Sequence, residues 1–114
     1  MPADTINGTL AALADETRKS VIDLLSREPR RASEIAAALG LTPQAMSRHL
    51  RILRRSGLIR EKGVAADARV RIYHLRQEPF QNLRHWLDQV ESYWVEELSA
   101  FRDHVKKRTK NAPR

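Results

Sequence analysis

No cysteine occurs in the 114 residues, which excludes disulfides, thiolate metal sites and cysteine nucleophiles. Long apolar runs are missing as well. No stretch approaches the roughly 20 residues that a membrane-spanning helix needs. The opening Met1-Pro2-Ala3-Asp4 lacks the charged-then-apolar layout of a secretory signal peptide, so the expected setting is the cytoplasm. Glycine is scarce, with four in the chain, and none of them belongs to a Gly-rich phosphate loop. A nucleophile elbow and a paired-carboxylate signature are also lacking, and with them the usual marks of an enzyme. Acidic side chains are the minority, 14 against 21 Lys and Arg, for a net charge of +7. A chain of this length supports one small domain, and its basic balance suggests an anionic partner.

The charge is concentrated in the middle. Residues 1–30 carry net −1, residues 31–62 net +5 and residues 63–76 net +2. Residues 77–101 then reverse to −4, and residues 102–114 return to +5. An anionic partner is therefore expected to meet the middle of the chain.

Periodicity and stop signals give the order helix, helix, helix, helix, strand, strand, long helix. A first helix over about Thr5–Leu13 places Ile6, Leu10 and Leu13 on one face. Asp15 reads as the N-cap of a second, with Val21, Ile22, Leu24 and Leu25 as its apolar stripe and Glu28-Pro29 as its end. A third runs from about Ser33 to Leu39 with Ile35, Ala36 and Leu39 inward, and Gly40 stops it. Thr42-Pro43 is the sharpest start signal, a capping hydroxyl followed by proline at the first helical position. The helix it opens carries Met46, Leu50 and Leu53 on one face and closes at Ser56-Gly57. Leu58–Lys62 and Arg69–Leu75 read as strands joined by a projecting loop over residues 63–68. Glu78-Pro79 opens the last helix, whose apolar residues Phe80, Leu83, Leu87, Val90, Trp94, Leu98, Phe101 and Val105 form a near-heptad seam.

The segment from Ser33 to Gly57 has the form helix, tight turn, helix. The outer face of its second helix offers Gln44, Ser47, Arg48, Arg51, Arg54 and Arg55. Gln and Arg have the donor and acceptor geometry to read base edges, and Ser can bond bases or phosphates. Gln44, Ser47 and Arg48 lie in the first turns, where such helices enter a major groove. Arg51, Arg54 and Arg55 lie further back, where phosphate contact is the simpler expectation. Lys62, Arg69 and Arg71 flank the hairpin loop and set positive charge beside that helix. Ser47 and His49 do not form a catalytic pair, because residues two apart on a helix do not face each other.

Three stretches resemble the ArsR-type winged helix-turn-helix repressors. They are Leu13-Ala14-Asp15-Glu16-Thr17-Arg18, the run from Ser33 through Gln44-Ala45-Met46-Ser47-Arg48-His49-Leu50, and Leu53 with Gly57-Leu58-Ile59. Arg71-Ile72-Tyr73-His74-Leu75 is similar to the strand that returns from that family's wing. The resemblance covers roughly residues 9–76. It implies a mainly α fold with a small β-hairpin, a winged helix-turn-helix with a long C-terminal dimerisation helix. It also implies a homodimeric, non-enzymatic repressor that binds double-stranded DNA at an operator. Thr42, Gln44, Ala45, Ser47, Arg48 and His49 match the positions of the family's DNA-reading helix. The cysteines that metal-sensing members carry before the turn are missing here.

The expected organisation is one domain over residues 1–105, with the helix-turn-helix at 33–57, the wing at 58–75 and the dimerisation helix at 79–105. Residues 106–114, with Lys106, Lys107, Arg108, Lys110 and Arg114, read as a disordered, solvated basic tail. The seam is too apolar to leave in water, with Trp94 and Phe101 in it and Trp86 and Tyr93 at its flanks. Dimerisation is therefore assigned to Ile6, Leu10, Leu83, Leu87, Val90, Trp94, Leu98 and Phe101. No metal, cofactor or inducing ligand is assigned. One alternative is a zinc-responsive repressor: His85, Asp88 and Glu91 share a helix face, and nitrogen and oxygen donors suit zinc. His104, nineteen residues beyond His85, is too far along the helix to join them within one chain. The other alternative is a basic module that binds an acidic protein surface.

Overall fold

The computed structural model describes residues 2–111, with side chains described over 6–67 and 69–107. Its elements are α1 (Pro2–Leu13), α2 (Glu16–Arg27), β1 (Arg30–Arg31), α3 (Ala32–Leu39), α4 (Pro43–Arg55), β2 (Ile59–Val64), β3 (Asp67–Leu75) and α5 (Gln77–Asn111). The chain divides into two compact units at Asn82/Leu83.

In the first unit the boundaries of α2, α3 and α4 have local causes. Asp15 caps α2 through its carboxylate, which accepts the Arg18 backbone N–H at 3.0 Å. That hydrogen bond is the main reason the Asp15 carboxyl titrates below the ordinary carboxylate range. Glu34 reaches back from the first turn of α3 to accept the Arg31 backbone N–H at 3.1 Å. Thr42 caps α4, its hydroxyl accepting from the Ala45 N–H at 3.2 Å, with Pro43 as the first helical residue. The two helices of the helix-turn-helix close in the same way. Leu41 N–H bonds Ala36 C=O and Gly40 N–H bonds Ala37 C=O; Leu58 N–H bonds Leu53 C=O and Gly57 N–H bonds Arg54 C=O. Both are the paired bonds of a Schellman stop, which places a glycine in the left-handed region, and Gly40 and Gly57 have φ of 64° and 77°.

The core collects the inward faces of these elements. Val21, Ile35, Leu53 and Leu58 are fully buried, with Met46, Leu50 and Ile59 almost so. Leu13, Leu24, Leu39, Leu75 and Phe80 pack against that cluster half-buried. On α1 the expected inward face shifts. Thr9 and Ala12 are buried, while Leu10 is 41% exposed and Ile6 half-buried. The larger side chains draw the eye in the sequence, but the small ones allow the close approach of α1 to α2.

The sheet is larger, and its hairpin tighter, than expected. β1 pairs antiparallel with β3, Arg30 opposite Tyr73 and Arg31 opposite Ile72, giving the strand order β1-β3-β2. A two-residue strand carries no periodic signal, and its pairing is a tertiary event. The six-residue loop expected over 63–68 is corrected to Ala65-Ala66, because pairing continues to Val64 opposite Asp67. Between that pair and Gly63–Arg71 the register shifts, leaving residues 68–70 of β3 unmatched. Asp67 supports the bulge locally by accepting the Arg69 backbone N–H at 2.9 Å.

In the second unit α5 continues to Asn111, six residues past the Val105 end of the apolar seam. From Leu83 onward none of its described side chains is buried. Trp94 is 61% exposed and Phe101 67%, with Leu87, Val90, Tyr93, Val95 and Leu98 also exposed. Arg114 of the expected tail, and the side chains of Arg108 and Lys110, lie outside the described residues. Among the described residues no helix is long and apolar enough to cross a membrane.

Because Leu53 is completely enclosed, Leu53→Ala is expected to destabilise the first unit by about 2–5 kcal/mol. Urea unfolding measures this; a loss below about 1 kcal/mol would contradict the packing described.

Candidate nucleic-acid interface

The inner residues of α4 dictate where its outer ones go. Met46, Leu50 and Leu53 are spaced by four and three, so their burial turns the opposite face outward. Gln44, Ser47, Arg48, Arg51, Arg54 and Arg55 are all exposed on that outer face. Thr42 and Ala45 sit at its N-terminal edge, joined by the capping bond. His49 is placed differently: its side chain is 20% exposed, with Nδ1 3.9 Å from the Asp15 carboxylate at the start of α2. It faces the interior side of the helix-turn-helix and not the exposed row.

The hairpin adds cations next to this row. Lys62, Arg69 and Arg71 are exposed on β2 and β3, and α4 packs directly on β2. Their pairing differs. Arg69 lies 3.8 Å from Asp67, and Arg71 Nε 3.9 Å from Glu61. Among the described residues no ion pair forms at Arg48, Arg51, Arg55 or Lys62. His74, opposite Arg60 on the hairpin, is held below the usual imidazole range by burial first and then by Arg60 and Lys62. Its protonated form is thereby disfavoured.

Between α4 and the hairpin lies an open hollow of about 540 Å³, lined by Ser47, Arg51, Arg54, Arg55, Glu61 and Tyr73. Glu61 and Tyr73 are direct cross-strand partners on β2 and β3. The Tyr73 hydroxyl donates to Glu61 Oε2 at 2.9 Å, and Arg54 Nη1 donates to the same oxygen at 3.2 Å. Burial, and then the hydrogen bond to Glu61, push the Tyr73 phenol above its ordinary value of 10.0.

A basic helix face, opened by a capped turn and flanked by a cationic hairpin, is a surface suited to duplex DNA. Residues 13–62 match the family model described as a helix-turn-helix domain. The HTH-type transcriptional regulator Rv2034 of Mycobacterium tuberculosis is 31% identical over 90 residues, covering 79% of this chain and 78% of that protein. The crystal structure of an ArsR family transcriptional regulator aligns with a TM-score of 0.72 at 34% identity, covering 80% of this chain and 97% of the other. This chain belongs to the ArsR family of winged helix-turn-helix regulators. An ArsR-like transcriptional regulator from a Rhodococcus species aligns with a TM-score of 0.74 at 27% identity, over 87% of this chain and 91% of its own.

As an ArsR-family member the protein is a DNA-binding transcriptional regulator and not an enzyme. This ArsR-family chain also holds a feature that sequence reasoning missed, the Glu61–Tyr73 pair. In the sequence Glu61 counts only toward the net +5 of residues 31–62. The signal lay in the strand register, which sets residues 61 and 73 side by side once the hairpin is aligned through Ile59–Leu75. Among the described residues no cluster of three or more His, Asp or Glu is gathered to hold a metal.

The raised Tyr73 phenol gives a sign to alkaline stability. The unfolded chain ionises its phenol near pH 10 while the folded one resists, so this contribution is intact below pH 10 and is lost as pH rises beyond it. Tyr73→Phe should flatten that alkaline fall and remove the late-ionising component of the tyrosinate absorbance. An unchanged titration in the variant would place the shifted phenol elsewhere.

Proposed function

We propose that this regulator is a homodimeric repressor that binds an inverted-repeat operator. The observation that carries the reading is the exposed row of α4 beside the cationic hairpin. In it, Gln44, Ser47 and Arg48 read base edges from the first turns of α4, with Thr42 and Ala45 setting the helix start against the backbone. Arg51, Arg54 and Arg55, with Lys62, Arg69 and Arg71 of the wing, hold phosphates. His49, turned toward Asp15, takes part by fixing the orientation of α4.

The exposed apolar stripe of α5 supports the dimer. Leu87, Val90, Trp94, Leu98 and Phe101 are each at least 41% exposed, and burying one such side chain is worth roughly 1.5–3 kcal/mol. A second copy presents an identical stripe and satisfies both at once. In the same proposal Ile6, Leu10 and Leu83 meet the partner copy. A two-fold dimer sets its recognition helices about 34 Å apart, the spacing of successive major grooves. Occupying the operator then blocks transcription. Control does not pass through thiolate chemistry, since the chain has no cysteine.

Two measurements test this reading. Arg48→Ala should cost about 1–3 kcal/mol on the operator and relax its sequence preference, whereas Arg55→Ala should weaken all duplexes alike and reduce the salt slope by about 1. Equal losses on every sequence for Arg48→Ala would overturn its base-reading role. In sedimentation, Leu98→Glu should convert a dimer to a monomer; a wild-type chain that already sediments as a monomer contradicts the dimer.

A further inference from the structure

The basic middle of the chain contains few acids, and each of them has a place. Within residues 31–76 they are Glu34, Glu61 and Asp67. Glu34 satisfies a backbone N–H at the start of α3, and Asp67 shapes the hairpin bulge. Glu61 does neither. Its carboxylate stands in the hollow beside α4, among lining residues that include Arg51, Arg54, Arg55 and the Tyr73 phenol.

The contacts of that carboxylate are two-sided. Oε2 accepts from Arg54 Nη1 at 3.2 Å and from the Tyr73 hydroxyl at 2.9 Å, while Oε1 faces Arg71 Nε at 3.9 Å. One group therefore joins a cation of α4 to a cation of β3. Gly63, paired with Arg71 across the strands, keeps the path open. A Cβ at that position would stand 3.1 Å from Arg71 Nη1. Two guanidiniums converging on two oxygens of one anion is also how arginines take hold of a phosphate.

We propose that Glu61 is a positioning residue that stands in for a DNA phosphate, holding Arg54 and Arg71 in the free protein until the duplex backbone replaces it. The proposal rests on the reading of α4 and the wing as the DNA-binding surface. The phenol of Tyr73 fixes the carboxylate from the third side, so the stand-in is placed and not merely near. The exchange then acts as a filter. On an arbitrary duplex, the phosphate gained by these two arginines is offset by the carboxylate given up and by its repulsion of the incoming backbone. On the operator, the base contacts of α4 are added to that near-neutral exchange and decide the outcome. Nonspecific affinity is thereby kept low on a face that is strongly cationic.

Glu61→Gln tests this, because it removes the charge and keeps the shape and an acceptor for Tyr73. Binding of a random duplex and of the selected operator is followed by fluorescence anisotropy across a salt series. The random duplex should bind about 3–10-fold tighter at 150 mM salt, the slope of log affinity against log salt should steepen by about 1, and the ratio of operator to random affinity should fall. Adding Arg54→Ala to Glu61→Gln should return the slope toward that of the wild type. Unchanged random-duplex affinity and slope, or a uniform loss on every duplex, would overturn the proposal and leave Glu61 a plain structural tie. Glu61→Ala gives the same comparison if the glutamine variant does not fold. A wild-type chain without salt-dependent affinity for any duplex overturns the DNA-binding reading itself, and the wild-type curve alone shows which has failed.

Discussion

The burial of Met46, Leu50 and Leu53 is the constraint on which the rest of the first unit depends. Each is enclosed almost completely, at roughly 1.5–3 kcal/mol apiece, and together they fix the rotation of α4 about its own axis. A turn of 100°, one residue along the helix, would bring arginines into the core and leucines into water. The start and end of the helix are fixed as firmly. The Gly40 stop and the Thr42 cap set where α4 begins. The Gly57 stop hands the chain to Leu58, which is itself fully buried and leads into the wing. The position of the hairpin cations is thus inherited from the packing of α4.

On that frame, charge is placed with restraint. The outer face of α4 and the hairpin supply the cations, but two of the wing arginines and one helix arginine rest against carboxylates. Arg48, Arg51 and Arg55 do not, among the described residues. The unpaired cations are the ones free to meet a duplex without first breaking a contact. Exposed ion pairs contribute little to stability, so the paired ones matter more for how readily an arginine is released than for how well the chain folds.

Much of this was legible in the sequence, because the signals were local. Asp15, Thr42-Pro43, Gly40 and Gly57 act through bonds within a few residues, and all four mark helix ends as read. The 4-and-3 spacing of Met46, Leu50 and Leu53 gave the inner face of α4 correctly. What was not legible depends on distant partners. β1 exists only because Arg30 and Arg31 find β3 more than forty positions on. The two-alanine turn needs the strand register, and the alanines themselves carry no turn signal. On α1, Thr9 and Ala12 are buried in preference to Leu10, since helix-to-helix closeness and not side-chain size decides that face. The Glu61–Tyr73 contact is invisible until the strands are aligned.

The most direct test of the account is selection of bound duplexes from a random library by the intact chain, at about 150 mM salt to suppress nonspecific attraction. The expected result is enrichment of an inverted repeat whose half-sites lie about one helical turn apart, as two α4 helices on a two-fold dimer require. Enrichment of an isolated half-site would contradict the dimer, and enrichment of nothing would contradict base reading by α4.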